Sequence, residues 1–231
     1  MSDNIKGMND SYNLNSCLQM RLVEISLPFI YKAIDLLDLS SLSSTQPIII
    51  ADFGLSHDLN SIYTMKEIIK YLKISKNGQR SFLFYFGFAS GRSFYEQYLP
   101  LNSLSIDYSP LTLHWISCKP CNVSNHCVSL YTLNDEYDKF KEQARLDYTK
   151  FLEHHSNELL PGGVFILCIG CTNDNGFHGG IEIIFQLLYK CAKLLPMTEE
   201  ELLDFTFPVY YQNYKELIDY DLFKKFSLKL I

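Results

Sequence analysis

The chain has 231 residues, of which 47% are hydrophobic and 14% aromatic, and it carries a formal net charge of −6. That length suits one domain, or one domain with a small lid, and the apolar content supports a sizeable core, which excludes a disordered chain. The acidic balance excludes an electrostatic footprint for nucleic acid.

Residues 1–15 are polar and read as a loose segment; with no apolar h-region among them, no secretory signal is expected. From Ser16 a helical pattern begins, with Leu18, Leu22, Ile25, Phe29, Ile30, Ala33, Ile34 and Leu37 on one broad face. Ser16 sits where an N-cap would, Gln19 falls at the capping-box position, and Pro28 predicts a kink or break. Leu39 to Gln46 is Ser-rich and reads as a loop. Ile48 to Asp52 is a short, continuous apolar run ending in an acid, the pattern of a strand buried on both faces of a parallel sheet. Gly54 follows, and then a helix over 61–73 bearing Ile62, Met65, Ile68, Ile69 and Leu72. Strand, glycine turn and helix open a nucleotide-binding βαβ fold, in which the helix N-terminus offers free N–H groups to a ligand.

Asn77-Gly78 marks a turn. The aromatic stretch Ser81 to Phe88 reads as a strand, Ser93 to Tyr98 as a short helix, and Leu104 to Asp107 as a strand. Pro110 to Trp115 is a loop or helical turn, and 118–130 a loop rich in Cys and Asn. Asp135 to Leu160 forms a long amphipathic helix with Tyr137, Phe140, Ala144, Tyr148, Phe151 and Leu152 inward, stopped by Pro161-Gly162-Gly163. Val164 to Ile169 is a second buried strand. Helices follow over Ile181–Leu195 and Glu199–Phe205, and Tyr220–Ile231 is a short helix or strand. Strands alternating with helices predict an α/β domain with a mostly parallel sheet. No apolar run approaches the roughly 18 residues of a spanning helix, so no membrane partner is expected. Seven cysteines without a secretion signal fit free thiols in a reducing, cytoplasmic setting.

By residue type alone, Trp115 is either a core tryptophan or a ligand donor, Gln19 a cap or a donor, and His114 a satisfied loop histidine or a base. Ser93-Phe94 is either a helix start with a buried ring or a ligand contact. Cys118, Cys121, His126 and Cys127 allow a zinc set, but they crowd a very short segment, and loop thiols are the simpler reading.

Seven separated stretches resemble one family in the same order. Tyr12-Asn13-Leu14-Asn15-Ser16-Cys17-Leu18-Gln19 resembles Y-x-x-N-S-x-x-Q, and Ile50-Ala51-Asp52-Phe53-Gly54 resembles I-A-D-L-G. Ser93-Phe94-Tyr95 before Leu99-Pro100 resembles G-S-F-Y…F-P, and Leu113-His114-Trp115-Ile116-Ser117 resembles L-x-W-L-S. Glu158-Leu159-Leu160-Pro161-Gly162-Gly163, Phe185-Gln186-Leu187-Leu188 and Phe207-Pro208-Val209-Tyr210 resemble E-L-x-P-G-G, W-Q-L-L and I-P-x-Y. The chain is thus identified as a shortened, divergent member of the SABATH carboxyl methyltransferases.

The resemblance implies a Rossmann-like sheet with helices on both faces and a reduced helical cap, in one domain over 1–231 with the cap remnant at 175–219. It implies S-adenosylmethionine as cofactor, contacted by Tyr12, Ser16, Asp52, Asn60, Ser93 and Phe94. Gln19 and Trp115 would meet the acceptor carboxylate, with His114 and Phe185 lining its pocket. A small carboxylic acid is the implied partner, a homodimer is allowed, and Asn125 is the nearest match to a Mg2+ position. No side chain is expected to act as a nucleophile.

Departures from the family pattern are large. No Asp or Glu occurs between Glu67 and Glu96, where the family's second strand ends in a ribose-binding acid. That segment is expected to be missing, replaced by the short Lys73–Arg80 link. Asp58 stands where the family has Gly, Leu111 replaces a Tyr, and the late cap helices and last strand are expected to be absent. These departures leave an inactive binding or dimer-partner subunit as the alternative to an enzyme.

Overall fold

A computed structural model describes residues 16–53, 59–76, 82–85, 93–176 and 178–231. The first helix, α1 (Cys17–Leu36), leads to β1 (Ile48–Asp52), α2 (Leu59–Ser75), β2 (Phe82–Tyr85) and β3 (Leu104–Pro110). A 3-10 turn (Ser129–Tyr131), the long α3 (Asn134–Glu158) and β4 (Leu159–Cys168) follow. Four short helices close the chain: α4 (Ile181–Ala192), α5 (Glu199–Asp204), α6 (Tyr214–Leu217) and α7 (Tyr220–Lys225). The four strands form one parallel sheet in the order β2-β1-β3-β4.

Strand alternation sorts the core into two layers. Ile48, Ile50, Ile106, Tyr108, Val164 and Ile166 face Ile30 and Ile34 of α1 and Met65, Ile68 and Leu72 of α2. On the other face, Phe165 and Leu167 pack with Tyr148, Phe151 and Leu152 of α3 and with Phe223 of α7. Ala51 on that same face meets Leu99 and Leu159. The expected α/β sheet with helices on both faces is therefore present.

Several local expectations are corrected. Pro28 lies inside α1 without ending it. Half of the predicted apolar stripe of α1 stays in the open: Leu18 is 64% and Phe29 70% exposed, while Ile30 and Ile34 are fully buried. Ser93 to Tyr98 is a run of turns, not a helix. The second strand is not missing: Phe82–Tyr85 pairs with Ile48–Ala51 of β1, and what the stretch lacks is the acid. All seven cysteines are free, and none joins a ligand cluster among the described residues, so the zinc set is not formed.

The Pro161-Gly162-Gly163 stretch does not stop the long helix, which already ends at Glu158. It lies within β4, where the register slips between the Leu104–Leu159 and Ile106–Val164 pairs. This bulge turns β4 past Asp38, whose N–H donates to the Gly162 carbonyl at 2.9 Å. Gly162 holds φ +86°, and an added Cβ would meet the Asp38 carbonyl oxygen at 2.6 Å. Left-handed strain and a backbone clash then act together. Gly162→Ala is predicted to lower the unfolding free energy by about 2–4 kcal/mol. Urea denaturation of the two proteins checks this.

Candidate active site

The sheet order places a topological switch point at β1. From β1 the chain passes to β2 on one side, then crosses to β3 on the other, which opens a crevice at the carboxyl ends of β1 and β3. Asp52 ends β1 opposite Tyr108 of β3 and is buried. Beyond it the Phe53 N–H donates to the Tyr108 carbonyl at 2.8 Å, and Ser109 Oγ donates to the Phe53 carbonyl at 3.0 Å. Asn60 is buried in the first turn of α2. Tyr12 and Asp58 lie outside the described residues.

Ser16 and Gln19 do not form the expected capping box. The Ser16 side chain makes no cap hydrogen bond, and Gln19 Oε1 is buried with no partner among the described residues.

Ser93 Oγ accepts from the Tyr95 N–H at 3.4 Å, and the Phe94 ring lies 4.2 Å from the Tyr95 ring and 6.3 Å from that of Phe151. The Phe94 carbonyl accepts from His155 Nε2 at 3.0 Å. His155 Nδ1 lies 2.8 Å from Asp107 Oδ2 and 3.5 Å from Glu158 Oε2, and all three side chains are fully buried. Glu158 Oε1 accepts from the Leu99 N–H at 2.8 Å and from the Tyr98 N–H. The His155 ring also sits edge-on to Phe53 at 4.3 Å. One buried cluster thus ties the 93–99 segment to the end of β1.

Burial alone would push the His155 imidazolium down; the Asp107 charge and hydrogen bond, the Glu158 charge and the Phe94 carbonyl outweigh it and hold the group above the ordinary histidine value. Burial raises the Asp107 and Glu158 carboxyls, with His155 partly offsetting both. Sequence reasoning missed this cluster. The available signal was His155 four residues past the inward Phe151 on a stripe otherwise apolar, with Glu158 one turn on.

Trp115 is not a core tryptophan, since 44% of its surface is exposed. Three stretches hold the backbone of Trp115 and of Ser117 beyond it. Tyr95 Oη donates to the Trp115 carbonyl at 2.6 Å, and Trp115 bridges Val209 in antiparallel fashion. Asp147 of α3 accepts from both the N–H and the Oγ of Ser117, each at 2.7 Å. Beside Trp115, His114 stacks on Tyr211 at 5.0 Å, and His178 packs against the same ring at 4.0 Å. Burial, with His178 nearby, pushes His114 down to about 4, so its ring is neutral at pH 7. An open depression of about 590 Å³ borders this stack, lined by Thr172, Asn173, His178 and Tyr214 among others.

Phe185 of α4 is half-buried and lies 6.0 Å from Phe207, in a cluster with Cys127, Val128 and Tyr189 and not with Trp115. No hydrogen bond or ring contact among the described residues joins Gln19 to Trp115 or Phe185. Asn125 is exposed on its loop. The cluster Asp107–His155–Glu158 is the one metal-competent group of His, Cys, Asp or Glu among the described residues, and it does not include that loop. A lone exposed amide does not fit Mg2+, which needs an octahedral set of oxygens.

A family profile described as SAM dependent carboxyl methyltransferase matches residues 72–220, well over half of the chain. The chain belongs to this family. A probable S-adenosylmethionine-dependent methyltransferase of Arabidopsis thaliana is 29% identical over 82% of this chain and 65% of its own length. The salicylate carboxymethyltransferase of Clarkia breweri is 25% identical over 87% of this chain and 67% of its own length. A solved loganic acid methyltransferase with SAH shares the fold, with a TM-score of 0.75 at 22% identity, covering 94% of this chain and 73% of that one. The chain thus spans 65% of the length of one Arabidopsis relative it matches and 41% of another. No helix among its described residues is long and apolar enough to cross a membrane.

The buried cluster gives this SABATH chain a defined pH response. His155, Asp107 and Glu158 all hold protons to higher pH when folded than when unfolded, so folding takes up protons. The His155 contribution is complete below the unfolded value of roughly 6.5 and is lost as pH rises through its raised folded value. Thermal melts are predicted to show a Tm that falls as pH rises above about 6.5. The double substitution Asp107→Leu with His155→Phe is predicted to flatten that slope.

Proposed function

We propose that the chain transfers the methyl group of S-adenosylmethionine to the carboxylate of a small organic acid. The carrying observation is the 2.6 Å hydrogen bond from Tyr95 to the Trp115 carbonyl, which couples the segment bearing Ser93 and Phe94 to the segment bearing His114 and Trp115. S-adenosylmethionine supplies an electrophilic methyl carbon on a sulfonium sulfur. In this reading Asp52, Asn60, Ser16, Ser93 and Tyr12 hold its polar groups, and Phe94 gives an apolar wall.

A carboxylic acid is ionised at pH 7, so the site needs no general base. The carboxylate oxygen forms the new bond to carbon as the carbon–sulfur bond breaks, and the bonding pair stays on sulfur. What the chain supplies is orientation and proximity. Gln19 offers amide N–H donors and Trp115 one indole N–H, so two side chains fix which oxygen faces the methyl group. His114, neutral at pH 7, and Phe185 act as aromatic walls for the acceptor. We read residues 1–231 as one such domain, with 175–219 as its cap. No step is routed through a metal, because the surroundings of Asn125 do not fit one.

Trp115→Phe keeps a flat ring and removes the donor. It is predicted to lower kcat/KM for the acid about tenfold, the worth of one hydrogen bond to a charged group, with KM for the cofactor unchanged. Methyl transfer from labelled S-adenosylmethionine to a panel of small acids measures this. No transfer to any acid by the wild-type chain would overturn the reading.

A further inference from the structure

Two side chains of α3, His155 and Glu158, hold the 93–99 segment. His155 Nε2 lies 3.0 Å from the Phe94 carbonyl, which can only accept a hydrogen bond, so Nε2 carries a proton. Nδ1 lies 2.8 Å from Asp107 Oδ2, a second acceptor. Opposite an ionised Asp107, a neutral imidazole has one N–H and serves only one of these partners, whereas the imidazolium serves both. The charged groups that face the ring are Asp107 from β3 and Glu158 from its own helix. Aromatic rings form the other walls: Phe53 edge-on at 4.3 Å, Phe151 at 4.2 Å and Phe165 at 6.1 Å.

The three ligand atoms lie within 4.8 Å of one another, a spacing that a divalent cation could use. The ring nitrogens, without which no such cation can bind all three residues, are committed otherwise. Both ring nitrogens are hydrogen-bonded, and Glu158 Oε1 already receives two backbone N–H groups. A metal would have to displace the contacts that hold the segment, so the cation suited to this cluster is the proton on His155.

We propose that the His155 imidazolium, bridging Asp107 and the Phe94 carbonyl, is a positioning residue for the cofactor, which sets the Ser93–Phe94 peptide against the end of β1. The proposal rests on the reading that Ser93 and Phe94 contact S-adenosylmethionine. Glu158 completes the clamp by holding Tyr98 and Leu99, so the segment is fixed at both ends. When the His155–Asp107 pair gives up a proton to solvent, one of the two bonds must break. Either Asp107 is left as a buried unpaired charge or the Phe94 carbonyl faces a lone pair, and the peptide shifts.

Calorimetric titration with S-adenosylhomocysteine from about pH 6 to about pH 9 tests this, on the wild-type chain and on the double variant Asp107→Leu, His155→Phe. The variant replaces a buried ion pair by apolar groups of similar shape, a change that often spares stability. The wild type is expected to lose at least about tenfold in affinity as pH rises, and the variant to bind more weakly with a smaller pH slope, set by the ligand's own amine. Wild-type affinity that follows the variant's slope, or a variant that binds as tightly as wild type, overturns the positioning role. Absence of binding to a folded wild-type chain at every pH overturns the proposed function and this inference with it. If the variant does not fold, the wild-type amide resonance of Tyr95 decides. Movement with the same midpoint as the affinity supports the role, and a resonance unmoved across that midpoint overturns it.

Discussion

Two hydrogen-bond acceptors face the two nitrogens of one buried imidazole, and much of the site geometry follows from satisfying both. His155 is carried by the long α3 helix, Asp107 lies in the middle of β3, and the Phe94 carbonyl belongs to a segment without regular structure. Turns hold no hydrogen-bond ladder of their own, so the 93–99 segment takes its conformation from outside partners. Removing one member of such a buried pair usually costs about 3–5 kcal/mol, since it strands the other charge away from water. The cluster therefore specifies a conformation at the cost of stability margin, which is a common arrangement beside a ligand site.

From that fixed segment the constraint passes outward. Tyr95 carries it to the Trp115 carbonyl, and Asp147 carries a second restraint from the same helix to Ser117. The bridge between Trp115 and Val209 then sets the final third of the chain against the loop. One helix thus positions the proposed cofactor segment through His155 and the proposed acceptor segment through Asp147. The indole is left half-open while its backbone is held at several points, an arrangement in which a side chain can meet a ligand without being free to wander.

Much of the fold was legible in the sequence because it rests on periodicity. β1 runs over Ile48–Asp52 as its apolar run predicted, and α3 buries Phe140, Ala144, Tyr148, Phe151 and Leu152 as its spacing predicted. The failures have physical causes. Pro161-Gly162-Gly163 reads locally as a helix stop, but its actual use is a bulge that only the neighbouring Asp38 explains. The apolar face of α1 is broader than the sheet it packs on, so periodicity placed Leu18 and Phe29 inward when Ile30, Ala33, Ile34 and Leu37 are the members of that stripe that reach the core. For the site, motif order named Trp115, Ser93 and Phe94 and placed Glu158 in a family motif, yet the cluster that Asp107, His155 and Glu158 form was not read. Each is an ionisable residue on a buried face, and its partners come from stretches 48 and 61 positions away.

The protonation of His155 is the claim on which the rest depends. Nitrogen-15 NMR of the chain with labelled histidine reads it directly at neutral pH. The account predicts that both ring nitrogens of His155 carry protons at pH 7, with Nδ1 hydrogen-bonded to a carboxylate, while His114 shows the neutral form. A His155 ring with a single protonated nitrogen at pH 7 would contradict it, because the imidazolium would then not be the bridge between Asp107 and the Phe94 carbonyl.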